Sequence, residues 1–214
     1  LTGNGMLDGI ESTKVQWTFF ECMGTAGYEK QIVERIPGIE LDDSRVYFAD
    51  MNGDGLFDLV FVDSTNKAIH YWPSRGYGRF GEKVTMGNCP PSLYLNPKTL
   101  SRFFFADICG TGCADAIYVG DREVCIWFNQ SGNSWRKAPV VIAGTPSLKS
   151  SDVPELADLY GQGTNGILWS SAGGFKGYRY LPLSKSKPGL LSSVVNNLGQ
   201  RVSYTYRASS ELAI

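Results

Sequence analysis

The feature that most constrains this chain is a unit of strand, polar loop and strand that returns at a nearly fixed spacing. The clearest copy, RVYFADMNGDGLFDLVFVD, runs from Arg45 to Asp63, and RFFFADICGTGCADAIYVGD from Arg102 to Asp121 repeats its plan. A third copy, VPELADLYGQGTNGILWSS from Val153 to Ser171, keeps the Ala-Asp opening and the glycines, while LTGNGMLDGI at Leu1 to Ile10 keeps only the loop and its exit. The aspartates that open the loops are Asp50, Asp107 and Asp158. Aligning Asp8 with Asp58 puts the missing first aspartate one residue before Leu1, so the chain is expected to start inside a repeat, with earlier copies upstream. A period of about 50 residues falls in the range of one β-propeller blade.

A second pattern follows each loop. AIHYWPSRGYGRF at Ala68 to Phe80 matches EVCIWFNQSGNSW at Glu123 to Trp135, which sets Trp72 over Trp127 and Phe80 over Trp135. Looser versions are VQWTFFECMGTAGY at Val15 to Tyr28 and GFKGYRYLPL at Gly174 to Leu183. Each is an apolar and aromatic strand running into a Gly/Ser or Pro turn. The expected fold is therefore all-β, a β-propeller segment of about four blades over residues 1–184, with the aromatic residues wedged between neighbouring blades.

One loop carries a metal-binding pattern. In DMNGDGLFD, side-chain oxygens fall at loop positions 1, 3, 5 and 9 as Asp50, Asn52, Asp54 and Asp58, with the Leu56 carbonyl available at position 7 and Gly55 allowing the sharp turn. Calcium takes six to eight hard oxygen ligands, and this spacing turns alternate side chains inward. An EF-hand begins the same way but needs a glutamate at position 12 between two helices, and here that position is Phe61 inside a strand-like run. The alternative is a metal-free turn in which Asp and Asn bond backbone amides. The other loops are poorer: Cys109 and Thr111 stand for Asn52 and Asp54 in one, Tyr160, Gln162 and Gly166 erode the next, and the first retains Thr2, Asn4 and Asp8.

Composition excludes several classes. With 20 basic and 21 acidic residues the net charge is −1, too balanced to draw nucleic acid or an anionic membrane surface. No apolar window approaches the roughly 20 residues of a membrane-spanning helix, so direct membrane insertion is not expected. The five cysteines are odd in number and too few for a disulfide scaffold, and they read as mostly buried thiols. A zinc site at Cys109 and Cys113 lacks its other ligands, since the single histidine is the distant His70. No nucleophile stands beside a base, and Asp42 with Asp43 or Glu11 with Glu21 lack an acid/base partner, so no enzymatic activity is expected.

Beyond about Pro188 the blade pattern stops. Residues 185–214 read as a linker, Lys185 to Gly189, and then a hairpin of Leu190 to Val195 and Arg201 to Tyr206 around Asn196, Asn197 and Gly199.

These segments taken in order, FADMNGDGLFDLVFVD, HYWPSRGYGRFG and KPGLLSSVVNNLGQRVSYTYRAS, resemble the middle region of the B component of insecticidal toxin complexes and the related virulence-plasmid B proteins. The single loop is shared with FG-GAP and VCBS repeats. The resemblance implies FG-GAP/VCBS-like blades in a secreted toxin, docked on a pore-forming A component and leading into an RHS-type shell that encloses a toxic cargo, while calcium at Asp50, Asn52, Asp54, Leu56 and Asp58 is expected from the spacing of the loop itself. A second reading from the residues is an adhesive or carbohydrate-binding propeller whose exposed aromatic residues hold a sugar.

Overall fold

The computed structural model describes residues 2–13, 15–91, 95, 97–148, 152–171 and 177–211. Leu1, residues 174–176 of the fourth aromatic stretch and Ile214 lie outside these. Among the described residues the chain is all-β, with only short 3₁₀ turns for helix and no closed barrel.

Four antiparallel sheets follow one another along the chain. The first holds β1 (Gly9–Ser12), β2 (Trp17–Cys22) and β3 (Tyr28–Val33). The second holds β4 (Val46–Ala49), β5 (Asp58–Asp63), β6 (Ala68–Trp72) and the short β7 (Val84–Thr85). In the third, β8 (Phe103–Ala106), β9 (Asp115–Val119) and β10 (Glu123–Trp127) are followed by a two-stranded hairpin, β11 (Asn129–Gln130) and β12 (Ser134–Trp135), before β13 (Val140–Ala143) completes the sheet. The fourth is β14 (Asp152–Ala157), β15 (Gly166–Ser171) and β16 (Tyr178–Pro182). In the first, second and fourth, consecutive strands pair as a meander, and in the third β10 pairs with β13 across the inserted hairpin.

The alternation of side chains explains why the second strands are almost wholly apolar. Successive residues of a strand point to opposite faces. On β5, Leu59 and Phe61 pack with Trp17 and Phe19 of the first sheet, while Val60 and Val62 join Phe103, Ala116 and Trp127 of the third. On β9, Ala116 and Tyr118 face the second sheet and Ile117 and Val119 meet Ile167 and Trp169 of the fourth. The middle sheets are therefore covered on both sides, and three apolar layers join four sheets in chain order. Burial of this kind is worth about 25 cal/mol per Å² of apolar surface.

The aromatic stretches form wedges between sheets. Phe80, at the end of the turn after β6, meets Trp17 of β2 edge-on with ring centroids 6.2 Å apart. Trp135 on β12 is fully buried, tilted against Phe105 of β8 at 6.2 Å. Close approach there relies on glycine: Gly132 lies at φ +76°, and a Cβ on it would come within 2.6 Å of the Tyr71 hydroxyl. That hydroxyl donates to the Gly132 carbonyl at 3.0 Å.

The C-terminal hairpin is shorter than the sequence pattern predicts, with β17 (Ser193–Val195) paired to β18 (Arg201–Ser203). Few apolar contacts back it, and Leu191, Val195 and Leu198 are exposed. Its linker does not swing free. A Cβ on Gly110 would come within 2.8 Å of the Pro188 carbonyl carbon, and one on Gly163 within 3.0 Å of Lys187 Cδ, so the linker crosses the third and fourth loops.

Candidate functional site

Loop contacts bring the first three loops into one row. Leu56 of the second loop packs on Gly3 of the first, and Gly53 packs on Cys113 of the third. The Ala114 amide donates to the Asp50 carbonyl at 2.6 Å, and Asn129 Nδ2 donates to the Met51 carbonyl at 2.9 Å.

The aspartate that opens each loop does the same work in every described copy. Asp50 accepts the Gly53 amide on Oδ1 and the Gly55 amide on Oδ2, both at 2.7 Å. Asp107 accepts Gly110 and Gly112 at 2.7 and 2.8 Å, and Asp158 accepts Gln162 and Gly163 at 3.0 and 2.6 Å. One carboxylate thus folds the loop around itself by satisfying amides that would otherwise face inward unpaired. Gly53 and Gly55 sit at φ +83° and +84°, a conformation that other residues adopt only with strain.

The aspartate at position 9 ties the loop to the third strand. Asp58 is fully buried, accepting the Met51 amide at 2.9 Å and the Ser74 amide at 2.8 Å. Asp115, equally buried, accepts Ile108 at 3.0 Å and Asn129 at 2.8 Å. Asp8 accepts Thr2 at 2.8 Å and Cys22 at 3.1 Å. In the fourth copy Gly166 takes this position, and the Tyr180 ring fills the space, 2.4 Å from where a Cβ would lie. Burial pushes the Asp58 carboxyl up to about 6, opposed by its two amide donors and reinforced by Asp54 and Asp50. Burial raises Asp115 as well. At Asp8 the amide bonds outweigh burial and hold the carboxyl below its usual range.

The five predicted calcium ligands therefore separate into two groups. Asp50 and Asp58 have backbone duties that their counterparts repeat in loops stripped of the other ligands. Asn52 and Asp54 have no such counterpart in the third loop. Asn52 is half-buried and Asp54 exposed, joined by Asn52 Nδ2 to Asp54 Oδ2 at 3.0 Å, and each caps a turn, Asn52 Oδ1 taking the Asp54 amide at 3.0 Å and Asp54 Oδ1 the Leu56 amide at 2.8 Å. All these donors are hard oxygens, and a carboxylate oxygen that accepts one N–H keeps a second lone pair, so the chemistry of the set fits calcium. Leu56 is half-buried beside them. Among the described residues, the one trio of Asp, Glu, Cys or His ligand atoms mutually within 4.8 Å lies elsewhere, in the third loop, as Asp107, Cys109 and Asp115.

The remaining residues singled out from sequence are dispersed. His70 Nδ1 lies 2.9 Å from Thr85 Oγ1, and its Nε2 is 3.7 Å from Asp63. Cys113 and Cys125 are buried, Cys22 and Cys89 half-buried and Cys109 exposed, and none of the five is in a disulfide, so the expectation of mostly buried thiols holds for two. Burial raises the thiols of Cys89, Cys109 and Cys113, which makes them poor nucleophiles.

No family model matches the sequence, and no curated protein matches it. Solved structures do match. The chain superimposes on a chain of the TcdB2-TccC3 crystal structure without its hypervariable C-terminal region, with a TM-score of 0.68 and 30% identity over 85% of its residues. Tc toxin chains are among its structural neighbours. A chain of the Photorhabdus luminescens Tc holotoxin pore gives a TM-score of 0.71 at 26% identity over 95% of this chain, and a second TcdB2-TccC3 structure gives 0.65 at 32% over 79%. These findings support a Tc toxin component region. The chain spans only 8 to 10% of the length of those toxin chains. An Agrocybe aegerita lectin that recognises non-reducing terminal N-acetylglucosamine shares the fold alone, at 19% identity, a TM-score of 0.58, 87% of this chain and 51% of its own.

Proposed function

We propose that this stretch is a non-catalytic scaffold of a secreted Tc-type toxin component, whose four sheets are successive FG-GAP/VCBS-like blades of a β-propeller. The observation that carries the reading is the superposition on Tc toxin chains over most of the chain at about 30% identity. It is supported by the repeat, by the face-to-face stacking of sheets in chain order, and by loops gathered in one row. In this reading the propeller holds the component to a pore-forming A component, and residues 185–214 lead into an RHS-type shell with its cargo. No helix among the described residues is long and apolar enough to cross a membrane.

Calcium in the second loop would stiffen this scaffold. Asn52 and Asp54 would supply the ligands that distinguish this loop from its neighbours, with Asp50, Asp58 and the Leu56 carbonyl behind them. The bound cation would neutralise three carboxylates that otherwise repel.

The test is assembly. The full chain is mixed with a purified pore-forming Tc component and its RHS-type partner, and complexes are resolved by size exclusion and electron microscopy. A complex in which deletion of residues 1–184 abolishes binding to the pore-forming component supports the reading. An undiminished complex after that deletion contradicts it.

A further inference from the structure

We propose that a cleft between the first and second sheets takes an acidic, aliphatic peptide segment of a partner protein. The inference rests on the assembly reading and names the chemistry of one contact within it. The cleft is a cavity of about 590 Å³, floored by Ile36, Pro37, Trp72 and Phe80 and rimmed by Arg75, Arg79 and Lys83.

Its cations are held by the fold. The turn from Ser74 to Phe80 closes through the Arg75 amide to the Arg79 carbonyl at 2.8 Å and the Gly81 amide to the Pro73 carbonyl at 2.7 Å. Arg75 and Arg79 are therefore opposite each other on one face of the turn. Like charges in that relation repel and cost stability. The turn is itself anchored: a Cβ on Gly78 would come within 2.8 Å of Phe19 Cβ, and Tyr77 meets the Phe19 ring edge-on at 6.4 Å. The Arg75 guanidinium folds over Gly81, its Nε 3.3 Å from where a Cβ would stand.

Among the described residues Arg75, Arg79 and Lys83 form no ion pair, whereas Arg35 at the same cleft is bonded to Glu40 at 2.7 Å. Two acids, Glu34 and Glu82, also line the cleft, against the three basic residues outside that ion pair. The rim therefore carries a net positive charge over an apolar floor. Paired guanidinium groups match carboxylate oxygens in geometry.

The neutral side chains decide the ligand class. In the described lining the uncharged side chains are aliphatic, proline or aromatic, with no Asn, Gln, Ser or Thr. Ile32 in that lining is 69% exposed. Arginine and aromatic anchors within an apolar patch are the composition of protein-binding hot spots.

The experiment presents an array of nonapeptides, with Asp or Glu and Leu, Ile or Phe varied systematically, to the full chain and to its Arg75→Glu/Arg79→Glu variant. Each acidic peptide is paired with its Asn/Gln counterpart, and sulfated oligosaccharides form a second arm. The expected result is a set of acidic, aliphatic binders that lose at least tenfold affinity in the variant and with amide substitution. Arg75→Lys/Arg79→Lys retains a measurable part of that binding, and unchanged melting temperatures show that both variants fold. Peptide binding that ignores the two arginines overturns the proposal, as does binding of sulfated oligosaccharides alone. Assembly with the pore-forming component is measured on the same proteins. Assembly that persists when no peptide binds overturns the cleft and spares the assembly reading. Arginine-dependent peptide binding without assembly supports the cleft and contradicts that reading.

Discussion

The most informative residues are the paired aspartates of each loop, because position 9 binds backbone wherever it survives. Replacing Asp115 by Ala leaves the Ile108 and Asn129 amides buried and unsatisfied. The cost is ~1–3 kcal/mol for each group, read as a fall in melting temperature. Asp58 makes the same bonds, and its raised carboxyl sets a pH dependence. Its folded value of about 6 exceeds the ordinary 3.8, so the folded state holds more protons than the unfolded one between those values. The contribution of Asp58 to stability therefore rises as pH falls from about 7 toward 4, in calcium-free buffer. Urea titrations across that range are expected to show this component in the native chain and to lose it in Asp58→Asn, which is weaker throughout because an amide cannot accept both N–H groups. The calcium argument rests on the neighbouring pair. Asp54→Ala is expected to abolish calcium binding by calorimetry while leaving the melting temperature of the chelated protein within about 1 °C.

At the scale of elements, much was legible and the reason is periodicity. The runs LVFVD and AIYVG alternate between two buried faces, so they read as strands without ambiguity, and the repeat placed Phe80 over Trp135 before either was seen to wedge between sheets. The backbone duty of Asp8 and Asp115 was hidden because a spacing of oxygens reads as a ligand set, and only hydrogen-bond partners distinguish a latch from a ligand. The signal was nonetheless present: position 9 stays aspartate in loops whose positions 3 and 5 have changed. The linker's return across the loops was not legible, since it depends on contacts such as Gly110 with Pro188 that carry no local pattern. Wedge packing makes its own prediction. Gly132 and Gly144 share positive φ, at +76° and +79°, but a Cβ meets Tyr71 at the first and open space at the second. Gly132→Ala is expected to lower the melting temperature by several degrees more than Gly144→Ala, and equal effects would deny the close approach.

For the whole molecule, three apolar layers bind four sheets in a row. In the proposed propeller these sheets would be adjacent blades, and the likeness to Tc toxin chains, of which this chain spans 8 to 10%, supplies the setting. The proposed docking would require rigid sheets more than reactive groups. The most direct measurement is an electron-microscopy structure of the full chain bound to a pore-forming Tc component. The account predicts that these four sheets stand as adjacent blades of a closed propeller in contact with that component; four sheets in an open stack, or placed away from the contact, would contradict it.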